Sequence, residues 1–186
     1  MSETEVLKRE LDPNELIKLV TMGLGTERFA VPIEEVKEII AKYEIVPLPK
    51  MPAFIEGIIS LRGTIVPIVD MRKRFGMAAR EAGADAKVVV VDLEGLSVGI
   101  QVDTVFQVLK ISRGEIKEPP ALVAGLKAEY LEGVAEVDGA LTVALNLENI
   151  FSSTEKMSLI ENIASAEKNH TGEGREVNTP QGEAHQ

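Results

Sequence analysis

Apolar positions in this chain fall in short runs rich in Val and Ile, punctuated by Gly, Pro and Asp. Runs at 18–22 and 28–31 read as strands joined across Gly23-Leu24-Gly25-Thr26. A second unit follows: runs at 57–61 and 64–69 meet at Arg62-Gly63, and the same arrangement recurs at Glu94-Gly95 (87–93 with 96–102) and Asp138-Gly139 (131–137 with 140–146). Asp-Gly between apolar runs is a strong hairpin signal, because both positions tolerate positive φ. Residues 104–111 form a further strand-like stretch, leading into a polar Pro-Pro loop at 112–120. Ile33, Val36, Ile39 and Ile40 fall at helical spacing, which predicts a short helix over 32–40 with Pro32 in its first turn. The prolines of 45–49 return the chain to extended form.

The ends read differently. Residues 1–14 are polar and are expected to be a flexible leader, without the apolar stretch of a signal peptide. Ser152 and Glu155 have capping-box spacing and open a helix predicted over 153–168. Met157, Ile160 and Ile163 make its apolar stripe, expected to dock on the body or to meet a partner. From 169 to 186 only Val177 and Ala184 are apolar, so a disordered tail is expected. Many short strands with regular turns and no long helix between them indicate an all-β barrel or sandwich.

Composition narrows what such a body does. Apolar residues make up 45% and aromatics only 4%, without Trp, so the core is built from aliphatics. Twenty basic against thirty acidic residues give a net charge of −10, the wrong sign for general binding to nucleic acid or anionic membrane. The basic run Arg72-Lys73-Arg74 is short and reads as a solvated helix face. The most apolar window, 51–69, is broken by Glu56, Arg62, Pro52 and Pro67 and is no membrane span. Together these features point to a soluble, cytoplasmic protein.

Catalytic chemistry is sparse. There is no Cys, and both histidines, His170 and His185, lie in the tail. The body thus lacks the residues that carry most acid–base, nucleophilic and transition-metal work near neutral pH. Gly95-Leu96-Ser97-Val98-Gly99 matches the nucleophile elbow, but that motif needs a strand, a sharp turn and a helix. Here Ile100-Gln101-Val102 continues the extended pattern, so Ser97 reads as a hairpin serine. Neither Glu34 with Glu35 nor Glu115 with Glu118 stands out as a catalytic pair. No catalytic residue, metal site or cofactor is expected.

One resemblance covers residues 17–151. Phe29-Ala30-Val31-Pro32-Ile33, Val36-Lys37-Glu38-Ile39, Pro47-Leu48-Pro49, Pro52-Ala53-Phe54-Ile55-Glu56-Gly57-Ile58-Ile59-Ser60-Leu61-Arg62-Gly63 and Ile65-Val66-Pro67-Ile68-Val69-Asp70-Met71-Arg72 closely resemble the CheW family. Val98-Gly99-Ile100, Val102-Asp103, Val105 and Tyr130-Leu131-Glu132-Gly133 extend the match. Ser60 departs from it, since Asn is common before Leu-Arg-Gly. The resemblance implies two packed five-stranded SH3-like β-barrels over 15–152, with passage from one to the other expected near 80–90.

It further implies an adaptor, without catalytic activity or cofactor, coupling chemoreceptor cytoplasmic tips to the regulatory domain of the CheA histidine kinase, in the cytoplasm at membrane receptor arrays. Matched position by position, Val36, Glu38, Ile39, Gly57, Arg62, Val88, Gly99, Val105 and Val108 correspond to a receptor-binding or groove-supporting set. Ile65, Lys117 and Leu122 correspond to kinase contacts, although an aromatic is familiar near Leu122. Arg62 is open to two readings, a direct receptor contact or a buried internal pin. Val36, Val105 and Val108 serve equally as core or interface, while an unpartnered buried carboxylate at Glu38 would be costly.

Overall fold

The computed structural model describes residues 12–78, 83, 85–120 and 126–172, with side chains to 168. Leu122, the outer leader and the residues after 172 lie outside this range. Among the described residues the chain forms ten strands: β1 (Leu16–Leu24), β2 (Glu27–Pro32), β3 (Val36–Ile40), β4 (Ile55–Leu61), β5 (Thr64–Asp70), β6 (Lys87–Leu93), β7 (Leu96–Val102), β8 (Thr104–Ser112), β9 (Leu131–Val137) and β10 (Ala140–Leu145). A one-turn helix α1 (Met71–Arg74) follows β5, and a twenty-residue helix α2 (Ser153–Gly172) follows β10. The three Gly-centred turns form as their sequence requires. Arg62, Glu94 and Asp138 hold φ near 50° and each is followed by a glycine with positive φ, the pair that a twisted hairpin needs.

The strands form two five-stranded sheets, ordered β8-β1-β2-β10-β9 and β3-β6-β7-β5-β4. Adding five to each strand number of the second order, and counting past ten, returns the first order. A five-strand unit therefore occurs twice, and the two copies exchange strands. Passage between sheets does not fall near 80–90. The chain leaves the first sheet after Pro32 and rejoins it at Thr104.

Each sheet curls so that a residue beyond one edge bridges to the other. Val46, downstream of β3, exchanges backbone hydrogen bonds of 2.8 and 2.9 Å with Ile58 on β4; Lys117, downstream of β8, exchanges two of 2.8 Å with Val134 on β9. These barrels are closed by a bridge and not by a full ladder. Gly57 lies beside the first closure at φ 147°, and a Cβ there would run into the Val46 carbonyl; a Cβ on Gly133 would meet Ile116 and the Lys117 carbonyl at the second. Glycine is needed where backbones approach this closely.

Strand alternation sorts the aliphatics into three cores. Val88 and Val90 join Ile59, Val66 and Ile68 inside one barrel, while Leu19, Ala30, Ile111 and Ala135 fill the other. Val89 and Val91 point the opposite way, into a larger cluster that also takes Val20, Met22, Phe29, Val31, Val69 and Val143 from both sheets. The helix expected over 32–40 is absent: Ile33–Glu35 is a single 3-10 turn, and β3 follows directly.

Gly57→Ala is expected to lower unfolding stability by about 2–3 kcal/mol, because the side chain must displace the Val46 carbonyl. Urea denaturation checks this: the midpoint should fall with the slope unchanged.

Candidate adaptor surfaces

Two of the expected site strands occupy the same position in the repeat. β3 and β8 are the edge strands next to β6 and β1. Val36 pairs with Val91 and Ile39 with Val89, while Val105 pairs with Met22 and Val108 with Val20. In both strands one extra residue is inserted between the pairs, a β-bulge that puts positions three apart on a single face. Val36 and Val105 pack against the core shared by the sheets. Ile39 and Val108 are 46% and 52% exposed. Each edge thus offers one anchored and one solvent-facing aliphatic. Val88 and Gly99 are buried inside the second barrel; a Cβ on Gly99 would press on Ile68 and Val88 at 2.5 and 2.7 Å, so neither residue presents a side chain to solvent.

Arg62 and Glu38 form a second feature. The Arg62 guanidinium donates to both Glu38 oxygens at 3.0 and 3.1 Å, joining the β4–β5 turn to β3 across the mouth of the barrel. In the other barrel Gln107 Nε2 donates to Asp138 at 3.4 Å in the corresponding place. The Arg62 side chain is 80% exposed, so the reading of it as a buried pin is wrong. It is a solvent-facing brace. Thr64, Val66, Leu61 and Val90 line the depression beneath it. Ile65 is half-buried on β5 and pairs with Ser60. Lys117 is exposed, with its ammonium donating to the Gly114 carbonyl at 2.6 Å.

Ser97 lies within β7, which continues as strand to Val102. Its hydroxyl accepts from Lys37 Nζ at 2.8 Å, and the same ammonium sits 2.6 Å from Asp92. The hydrogen bond from Lys37, with a backbone donor from Gly95, holds Asp92 below the usual carboxylate range. Ser97 stands inside a strand and not at the strand–turn–helix junction that a nucleophile elbow requires. Glu115 is spent on the turn at Ser112, whose backbone N–H donates to it at 2.6 Å.

Two enclosed arginines, Arg72 buried and Arg74 half-buried, are ones that the sequence concealed. Arg72 and Arg74 belong to the run read as a solvated face, yet Arg72 is only 9% exposed. It forms a two-pronged pair with Asp103, whose carboxylate also accepts from the Gly25 backbone at 2.7 Å. This ties α1, the first hairpin and the β7–β8 crossover together. Arg74 donates to the Ile150 carbonyl at 2.7 Å and to both Glu155 oxygens at 3.1 Å, with its guanidinium 4.4 Å from the Phe54 ring centre. A bidentate, stacked arginine of this kind is not replaceable by lysine. Burial pushes the Glu155 carboxyl up, but the Ser152 backbone donor and Arg74 outweigh it and hold the carboxyl low. Ser152 and Glu155 close the expected capping box. The predicted stripe divides: Ile163 is buried with Leu159, whereas Met157 and Ile160 face solvent.

Glu35, in the turn from β2 to β3, has one buried oxygen without a partner. Burial, with help from Glu132, Glu148 and Glu34, raises its carboxyl above the ordinary value.

Comparison with known proteins bears on this arrangement. The CheW-like domain family matches residues 18–155. The chain is 34% identical over 150 residues to a chemotaxis protein CheW of Treponema pallidum, covering 78% of this chain and 88% of that one. It is 31% identical over 126 residues to protein FrzA of Myxococcus xanthus, covering 68% and 78%. Among solved structures it is similar to the scaffolding protein TtCheW of Thermoanaerobacter tengcongensis, with a TM-score of 0.71 and 32% identity over 76% of this chain and 96% of that one.

Glu35→Gln removes a charge that folding desolvates. A folded-state value above the unfolded one means that the native protein binds the extra proton, so ionised Glu35 lowers stability as pH rises. The variant is expected to unfold at a higher temperature than the parent at pH 7. That advantage should shrink as pH falls into the ordinary carboxylate range, which thermal melts at several pH values will measure.

Proposed function

The chain belongs to the CheW-like family of chemotaxis scaffold proteins, and from that premise we propose that it couples the cytoplasmic tips of chemoreceptors to the regulatory domain of the CheA histidine kinase. The observation that carries this reading is the duplicated edge motif, in which Val36 and Val105 are seated in the shared core while Ile39 and Val108 project from it. A helical hairpin presents apolar residues along one face, and a row of supported aliphatics is what such a face buries against. Each well-buried aliphatic contributes about 1.5–3 kcal/mol before the cost of association.

The kinase contact is assigned to a separate part of the surface, around Ile65 on β5, with Lys117 and Leu122 serving a further kinase contact. Separation matters, because an adaptor must hold both partners at once. Two moderate contacts on one rigid body raise the effective concentration of each partner for the other. Neither step needs a reacting group, and the family is one of non-catalytic adaptors. Among the described residues no helix is long and apolar enough to cross a membrane. In this reading the protein works in the cytoplasm and reaches the membrane through the receptors it binds.

Co-sedimentation of receptor-bearing membranes with kinase, with and without this protein, tests the bridge: kinase should pellet only when the protein is added. Ile39→Glu with Val108→Glu should abolish binding to receptor and leave kinase binding within about twofold. Ile65→Glu should do the reverse, with at least a tenfold loss toward kinase. Arg62→Ala should fold with a loss below about 1 kcal/mol, as expected for an exposed ion pair, yet weaken receptor binding. Loss of both partners in any one variant that stays folded contradicts the assignment of two faces.

A further inference from the structure

We infer that the receptor segment received beside β8 carries a carboxylate about one helical turn from its apolar anchor, and that Lys18 and Lys110 read it. This rests on the assignment of Val108 to the receptor face. Lys18 on β1 and Lys110 on β8 are direct cross-strand partners, one pair beyond Val20 and Val108 on the same face. Both lysines are exposed, and among the described residues neither has a hydrogen-bond or ion-pair partner.

Among the described residues Lys42, Lys50 and Lys87 also stand without such a partner; what marks Lys18 and Lys110 is that the two face each other directly across a strand pair. Carboxylates outnumber cations and the net charge is −10, and Lys37, Arg62, Arg72, Lys73, Arg74, Arg113 and Lys156 all hold acidic partners. Like charges directly opposite on a sheet repel. Two ammonium groups side by side therefore create a local positive field, screened by salt, that an incoming negative charge relieves.

Geometry sets the spacing. Residues two apart on a strand lie roughly 6.5–7 Å from each other, and four residues of helix rise about 6 Å. A partner helix running along β8 with an apolar residue against Val108 brings its residue four positions away, Glu or Asp, over the lysine pair. Beyond the lysines Leu16, another exposed aliphatic, pairs with Ser112, so the charged step is flanked by apolar surface on both sides. Electrostatic contacts of this kind set register and orientation more than raw affinity. The lysine pair thus discriminates which segment of the receptor hairpin seats, and in which direction.

The test uses the full chain and a soluble chemoreceptor cytoplasmic hairpin fragment, with binding measured by calorimetry at low and at physiological salt. Lys18→Gln with Lys110→Gln is expected to weaken hairpin binding by roughly tenfold at low salt and to flatten its salt dependence, while kinase binding is unchanged. Changing the acidic residue of the hairpin to Lys should cause the same loss, and Lys110→Glu should restore binding to that altered hairpin. If the parent binds and Val108→Glu abolishes binding, but the glutamine pair binds like the parent at both salt concentrations, the lysine reading fails and the receptor face stands. If the parent does not bind the hairpin, both fail.

Discussion

The fold depends on apolar packing shared between the two sheets. Val89 and Val91 leave their own barrel and enter a cluster with Val20, Met22, Phe29 and Val31 of the other. β6 is therefore buried on both faces, and neither barrel has an interior sufficient to itself: one closes over Ile59, Val66, Ile68, Val88 and Val90, the other over Leu19, Ala30, Ile111 and Ala135. Small barrels with few large side chains bury too little apolar surface to stand alone. Burying the larger share between them makes a single body.

Placement of the surfaces proposed to meet the partners follows from that body. The anchored residues Val36 and Val105 are the outer limit of the shared core, so the exposed Ile39 and Val108 are carried on backbone that cannot move without disturbing it. Arg72 and Arg74 act at the other margin. One fastens the β7–β8 crossover to the first hairpin through Asp103, and the other fastens α2 through Glu155 and the Ile150 carbonyl. Both are enclosed and paired, a condition under which removing one partner strands a buried charge.

Local turn chemistry made most of the strands legible. The glycines of Arg62-Gly63, Glu94-Gly95 and Asp138-Gly139 each mark a turn between apolar runs, and all three hairpins formed where those pairs stand. The β3 region misled because Ile33, Val36 and Ile39 recur every third residue. That period comes from a bulge, which inserts one residue into the strand and so imitates a helical face. Arg72 and Arg74 were hidden for a different reason. Whether a cation is solvated or enclosed depends on what the fold brings to it, and Asp103 and Glu155 lie 31 and 81 residues away. The same holds for Arg62, whose exposure is fixed by its place at the tip of a hairpin. Pairing of strands from opposite halves of the chain leaves no local trace at all.

Exchange of strands also governs the order in which the molecule can be made. The β1–β2 hairpin is made well before its two flanking strands, β8 and β10; Thr21 finds the Gln107 carbonyl across 86 residues of chain. Until then both borders of that hairpin lie unpaired, the condition under which nascent chains stick to one another. Long-range pairing of this kind also slows the approach to the native state. The architecture that makes the finished scaffold indivisible thus leaves the borders of this hairpin open until β8 and β10 have been made.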